Sequence, residues 1–150
     1  MNQFFKFLLI AIILSILSCK SNHSRNIKSI FETDKYYSKM SVEKGRNTAF
    51  LAMFDTSAVM LSSHSMPIIG YTAIKKRLLS HNDSSFSLSW DPKYAKVSQS
   101  GELGYSYGLY KLYDSHTKQL IEEGTYTTFW KKNSNGEWKA TLDTGNEGIR

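Results

Sequence analysis

The hydrophobic pattern changes at Phe86 from helical spacing to strict alternation, and this change limits the fold more than any other feature. Phe86, Leu88 and Trp90 alternate with Ser87 and Ser89, which is typical of a half-buried strand. Turn-rich pieces follow, and the last of them contains Asn135-Gly136, a strong hairpin signal. The C-terminal half is therefore predicted to be a four-stranded antiparallel sheet, with strands starting at Phe86 and spanning 103–113, 120–131 and 137–142.

The segment before this sheet carries helical spacing. Apolar residues and Asp34 share one face of a predicted helix over 27–40, and Ser41 is expected to cap a second helix that reaches Phe54. Short extended pieces at 58–61 and 66–70 precede a third helix over 71–79. Helices placed before an antiparallel sheet predict an α+β fold, in which a strongly curved sheet wraps a helix and leaves an apolar funnel between them.

The N-terminus has the composition of an export signal. An almost wholly apolar run of 11 residues, Phe7–Leu17, lies between Lys6 and Lys20 and is short for a membrane span. Ile16-Leu17-Ser18-Cys19 resembles the bacterial lipobox, and Cys19 is the only cysteine in the chain. We therefore expect a lipoprotein signal peptide at 1–18, acylation of Cys19, a tether at 19–27 and a folded domain at 28–150. The alternative is an ordinary signal peptide with an incidental cysteine.

These features predict an exported protein that a lipid anchor at Cys19 holds on a bacterial cell membrane, where it faces the periplasm or the cell surface. Two or more acyl chains are enough for stable attachment to a bilayer. Loss of residues 1–18 removes Lys6 and no acid, which changes the formal net charge from +6 to +5. This charge suits an anionic lipid surface, although a solvated basic surface is its commonest explanation.

Composition also excludes several kinds of site. The four histidines, at 23, 64, 81 and 116, are too far apart for a local metal motif, and one cysteine cannot form a disulfide framework. The only basic runs, 75–77 and 131–132, are not interleaved with aromatic residues as a nucleic-acid platform requires. We therefore expect no metal, no cofactor and no nucleic-acid partner.

Four pieces of the sequence carry a resemblance to a known family through their order and spacing. They are 49–59; 67–70; 89–92 with 98–107; and 124–126 with 129–132, 136–139 and 142–143. Together they resemble the nuclear-transport-factor-2-like, or cystatin-like cone, superfamily. Within it the chain is most similar to the SnoaL-like and ketosteroid-isomerase-like branch, and to a bacterial domain family of unknown function. The resemblance spans about residues 28–145 and implies the cone fold.

The isomerase chemistry of that branch can be compared with this sequence. The resemblance places the carboxylate base near Ser62, the neutral acid near Thr128 and the helix tyrosine near Tyr37. Neither Ser62 nor Thr128 is a carboxylate, and 58–66 contains no acid. We therefore do not expect proton abstraction by that arrangement.

Two classes of function remain open. The first is a membrane-anchored binding module that holds an apolar small molecule in its cone and could pair with a second copy through the sheet. The second is a small lyase, isomerase or cyclase that acts on an apolar substrate in the same pocket. A cavity-facing carboxylate or histidine with a hydrogen-bonding companion would favour the enzyme. The candidate pocket residues are Tyr37, His64, Trp90, Tyr107, Trp130 and Asp143.

Overall fold

A computed structural model describes the backbone of residues 3–148 and the side chains of residues 24–148. Three helices and six strands form an α+β fold, as the hydrophobic pattern predicts. The elements are α1 (Gln3–Lys44), α2 (Arg46–Met53), β1 (Phe54–Leu61), β2 (Ile68–Ile69), α3 (Tyr71–Leu79), β3 (Phe86–Val97), β4 (Leu103–Asp114), β5 (Leu120–Lys132) and β6 (Trp138–Glu147).

Helix α1 begins earlier than the sequence pattern indicates. Residues 24–27, which we expected in the tether, are helical, and the Lys132 ammonium donates to Asn26 Oδ1 at 2.7 Å. Contacts with the sheet therefore extend the helix into this polar segment. The side chains of the predicted signal peptide, 1–18, and of Cys19 lie outside the described residues.

The predicted cap at Ser41 is wrong. Helix α1 continues to Lys44, and the break comes at Gly45, whose φ of +90° favours glycine over any residue with a side chain. The buried Ser41 hydroxyl donates instead to the Leu88 carbonyl of β3 at 2.8 Å. Phe54, which we expected to end the second helix, is the first residue of β1.

The six strands form one open sheet in the order β2-β1-β6-β5-β4-β3. Strands β3 to β6 pair antiparallel, as predicted, whereas β1 runs parallel to β6 and makes the sheet mixed. The parallel pairing is possible because a long connection, through β2, α3 and β3–β5, separates β1 from β6 along the chain.

Helix α1 closes the open edge of the sheet at β3. The Ser38 hydroxyl donates to the Trp90 carbonyl at 2.6 Å and accepts from the Trp90 amide at 2.9 Å. Unpaired edge groups of a strand otherwise invite association with other chains. These bonds fix α1 across the concave face, where Ile30 and Tyr37 join Trp130 and Trp138 in the core.

Candidate functional site

A cavity of about 280 Å³ lies between α2, the end of β1 and the concave face of β3–β6. Its apolar walls combine aromatic, thioether and aliphatic side chains, as ligand pockets usually do. These walls are formed by Phe50, Met53, Met60, Leu88, Trp90 and Leu112.

Two tyrosine rings form the floor of the cavity because their cross-strand partners are glycines. Tyr110 pairs with Gly124, and Tyr126 pairs with Gly108. A Cβ atom at Gly124 would lie 2.9 Å from the Tyr110 hydroxyl oxygen, and one at Gly108 would lie 2.8 Å from Tyr126 Cε1. Both distances are too short for real contacts, so the rings can lie against the sheet only where the opposing residue has no side chain.

Asp34 accepts hydrogen bonds from two of the aromatic residues that line the cavity. Its carboxylate accepts from Trp90 Nε1 at 2.6 Å and from the Tyr126 hydroxyl at 2.8 Å, and it has no solvent exposure. Burial raises the pKa of Asp34, while hydrogen bonds from Ser106, Tyr126 and Trp90 oppose the shift. Burial and the neighbouring Asp34 charge also raise the pKa of Tyr126. The polar atoms of both rings therefore point to Asp34, and the rest of each ring is free to line the cavity.

Asp143 contributes a carboxyl group to the cavity lining. It lies opposite Thr128 in the β5–β6 register, and the Thr128 hydroxyl donates to Asp143 Oδ2 at 2.6 Å. Protein atoms surround the carboxyl group, yet part of the residue's surface stays open to the cavity. Burial raises the pKa of Asp143 to about 6; the Thr128 bond opposes this shift and the Asp34 charge adds to it.

Arg46 and Glu122 also line the cavity. The Arg46 guanidinium donates to Asn47 Oδ1 at 3.0 Å and lies 4.8 Å from the centre of the Phe86 ring. Burial lowers the pKa of Arg46, and the Asp83 charge opposes that shift. The Tyr110 hydroxyl donates to Glu122. Burial is the main cause that raises the pKa of Tyr110, and this bond is the second.

The structure places two of the six predicted pocket residues, Trp90 and Asp143, in the cavity wall. Tyr37 and Trp130 are buried in the core instead, where their rings stack at 6.2 Å with an interplanar angle of 9°. Their polar atoms bond within the core, from the Tyr37 hydroxyl to the Ala52 carbonyl and from Trp130 Nε1 to Ser106 Oγ.

Tyr107 and His64 lie away from the cavity. Tyr107 is on the convex face of β4, 47% exposed and stacked on Tyr94, because the inward positions of this strand are Ser106, Gly108 and Tyr110. His64 is exposed in the loop after β1, with a positive φ of 56°. Its neighbours Ser62 and Ser63 reach the cavity in its place.

Sequence analysis did not identify Asp34, Tyr126 or Glu122 as site residues. Asp34 gave a usable signal, because a carboxylate on the apolar face of a helix needs buried partners. Tyr126 gave a weaker signal. It follows Gly124 by two residues, so both lie on the same face of the strand, where a glycine leaves space for a ring.

The described part of the chain contains neither a metal-ligand cluster nor a membrane-spanning helix. Among residues 24–148, His, Cys, Asp and Glu form no group of three that could hold a metal ion. Within that same range, no helix is long and apolar enough to cross a membrane.

No protein-family model matches the sequence, and no curated protein matches it. Solved structures do resemble it. A nuclear transport factor 2-like protein from Salmonella enterica serovar Typhimurium has a TM-score of 0.64 and 15% identity, with 85% of this chain and 94% of that chain covered. A ketosteroid isomerase-like protein from Erwinia carotovora has a TM-score of 0.63 and 11% identity, with 80% and 95% covered.

A third similar structure, from Catenulispora acidiphila, was solved in complex with S-DNPA. Its TM-score is 0.62 and its identity 11%, with 80% of this chain and 91% of that chain covered. At these identities the likeness shows the fold alone. The chain has the NTF2-like cone fold.

Proposed function

We propose that this protein is a lipid-anchored binding module that holds an apolar small molecule in its cone. The observation that carries the proposal is the preformed cavity of about 280 Å³, in which aromatic, thioether and aliphatic side chains surround three charged groups, Arg46, Glu122 and Asp143. Such a combination is the usual form of a small-molecule site.

The rigidity of the cavity supports binding. Trp90 and Tyr126 are both tied to the buried Asp34, and Tyr110 is tied to Glu122. A ligand that meets fixed rings loses less free energy to the ordering of side chains than one that meets mobile rings. The cavity therefore suits a small, flat or compact apolar group.

A cavity-filling substitution tests ligand binding. Met60→Trp places a larger side chain in the cavity wall, whereas the control Met66→Trp adds the same ring at a position that is 83% exposed. We expect Met60→Trp to abolish fluorescence enhancement of the neutral dye Nile red, and Met66→Trp to leave it unchanged. Equal enhancement of Nile red fluorescence by both variants, with unchanged melting temperatures, would show that the dye does not bind in the cavity.

The anchor rests on the N-terminal sequence. Cys19 is the only cysteine, and it directly follows a short apolar run and a small residue. Cys19→Ser is expected to move the protein from the membrane to the soluble fraction and to stop incorporation of labelled palmitate, while Ser21→Ala changes neither. Continued membrane fractionation and labelling of Cys19→Ser would disprove the anchor.

A second candidate function, proton-transfer catalysis on an apolar substrate, is favoured by Asp143. The resemblance placed an acid near Thr128, and Asp143 lies directly across the sheet from that position. A carboxyl group whose pKa is about 6 can exchange a proton near neutral pH and faces the cavity here. This enzyme would be a small lyase, isomerase or cyclase.

Deuterium exchange tests that second function without knowledge of the natural substrate. A proton-transfer enzyme should accelerate exchange at the carbon next to the carbonyl of 2-tetralone in D₂O. Asp143→Asn should abolish the acceleration, and Glu123→Gln, an exposed carboxylate on the same sheet, should not. Exchange at the uncatalysed rate with wild-type protein would leave binding as the function.

We also propose that a second copy of the chain pairs through the convex face of the sheet. Tyr94, Tyr107, Leu109 and Phe129 are exposed there, and exposed apolar side chains on neighbouring strands favour association. Tyr107→Lys should convert a dimer to a monomer in light scattering coupled to size-exclusion chromatography. A wild-type monomer at high concentration would contradict the pairing.

A further inference from the structure

Three aromatic rings line the cavity, with steep angles between the planes of neighbouring rings. Phe50 and Trp90 have centroids 5.8 Å apart with an interplanar angle of 68°, and Trp90 and Tyr126 are 6.4 Å apart at 65°. All three residues line the cavity. The face of an aromatic ring carries negative potential, and several rings set at steep angles can surround one cation.

Carboxyl groups add to this negative potential. Asp143 and Glu122 line the same cavity, and each accepts a hydrogen bond from one neighbouring hydroxyl, Thr128 and Tyr110 respectively. A carboxylate has room for about four hydrogen bonds, so both retain acceptor capacity. Asp34 accepts from the Trp90 indole and the Tyr126 phenol, which increases electron density in two of the ring walls.

Among residues 24–148, Arg46 is the one basic side chain that lines this cavity, and it already has partners. It donates to Asn47 and lies over Phe86, at the start of β3. Asp143 lies toward the other end of the cavity. It pairs with Thr128 on β5, which pairs with Ser106 on β4, and Ser106 pairs with Ala95 near the end of β3. The basic group of the cavity lining therefore lies toward the Phe86 end of β3, and Asp143 lies toward the opposite end.

We infer that the ligand of this cavity is an organic cation, a protonated or quaternary amine on an apolar body, with its charged nitrogen between Phe50, Trp90 and Tyr126 and beside the Asp143 carboxylate. This inference rests on the proposed binding function and specifies its ligand class. A cation compensates the carboxyl charges of the cavity, whereas an anion would meet Asp143 and Glu122.

Three probes that differ in charge test the inference on the full chain in detergent. Benzyltrimethylammonium is the cation, neopentylbenzene is its neutral isostere and phenylacetate is an anion. Binding is followed by the NMR signal of the Trp90 indole N–H, which Trp90→Phe identifies. We expect benzyltrimethylammonium to bind at least about tenfold more tightly than neopentylbenzene, and phenylacetate to bind most weakly.

Variants locate the cation. Asp143→Asn should weaken binding of benzyltrimethylammonium about tenfold and leave neopentylbenzene unchanged. Glu123→Gln, which removes an exposed carboxylate from the same strand as Thr128, should change neither affinity. Phe50→Leu keeps the wall apolar but removes a ring, so it should reduce the preference for the cation even if Asp143→Asn fails to fold.

The outcomes separate this inference from the binding function itself. Equal affinity for the cation and its neutral isostere, or tighter binding of phenylacetate, overturns the inference and leaves the binding module intact. A cation preference that survives both Asp143→Asn and Phe50→Leu also overturns it. If none of the three probes shifts the Trp90 signal, the inference and the proposed binding function both fail.

Discussion

The two faces of strands β3–β5 carry the same kind of residue in different surroundings. On the concave face, Tyr110 and Tyr126 line a cavity and donate to the carboxylates of Glu122 and Asp34. On the convex face, Tyr94 contacts both Tyr105 and Tyr107, and Tyr94 and Tyr107 are more than 40% exposed. Tyrosine content alone therefore does not identify a pocket.

The position along the strand decides which role a tyrosine takes. Successive side chains of a strand point to opposite faces, so Tyr107 and Tyr110, three residues apart, face opposite sides. The concave side also has Gly108 and Gly124, which give the tyrosine rings space to lie flat. A glycine opposite a tyrosine therefore distinguishes the two faces better than the tyrosine itself.

The largest expected difference between the faces is in stability. Trp130→Ala should lower the free energy of unfolding by about 3–5 kcal/mol, because a fully buried ring and its bond to Ser106 are lost. Tyr107→Ala on the convex face should lower it by less than about 1 kcal/mol. Urea unfolding of both variants measures the contrast, and equal losses would show that the convex rings are also structural.

The concave face should also make stability depend on pH through Asp143. Its folded pKa of about 6 is above the ordinary value of 3.8, so the folded state holds the proton more tightly than the unfolded state. Stability from this group is therefore present at low pH and falls as pH rises from about 4 to about 6, by about 3 kcal/mol. The neighbouring Asp34, whose pKa is also raised, acts in the same direction.

Urea unfolding between pH 4 and pH 7 checks this prediction on wild-type protein and Asp143→Asn. The variant should gain stability relative to wild type as pH increases through this range, since it has no carboxyl group to ionise. Glu123→Gln on the outside of β5 serves as the control and should follow the wild type. Parallel profiles for wild type and Asp143→Asn would show that burial does not shift the pKa of Asp143.

A smaller effect concerns the glycines of the concave face. Gly124→Ala would place a Cβ against the Asn146 carbonyl oxygen and the Tyr110 ring, and should cost about 1–3 kcal/mol. Gly145→Ala is the matched control, because its Cβ would find ordinary contacts at 3.6 Å from Tyr110 Cε1 and 3.7 Å from the Thr125 carbonyl oxygen. Thermal unfolding measures both, and a larger loss for Gly145→Ala would contradict the fit of Tyr110 against Gly124.

Much of the fold could be predicted from hydrophobic periodicity. The alternation after Phe86 locates four strands, and the spacing over 71–79 gives α3 with the same bounds as in the structure. The end of α1 and the direction of β1 could not be found in this way. Ser41 bonds to β3 instead of capping a helix, and each residue of β1 that pairs with β6 has a partner more than 80 positions later. Both depend on contacts between distant segments.

The candidate site was only partly predictable. Large aromatic residues and a late carboxylate led to Trp90 and Asp143, which line the cavity. The same reasoning led to Trp130 and Tyr37, which fill the core, because size alone does not separate core from pocket. Asp34 was missed because its role depends on two partners more than 50 residues away.

The most direct test is a crystal structure of the protein purified from the organism that makes it, without added ligand. Our account predicts density for a small molecule between Phe50, Trp90, Tyr126 and Asp143, with the convex tyrosines free of it. An empty concave cavity closed by rearranged side chains, or a molecule seated on the convex face instead, would contradict it.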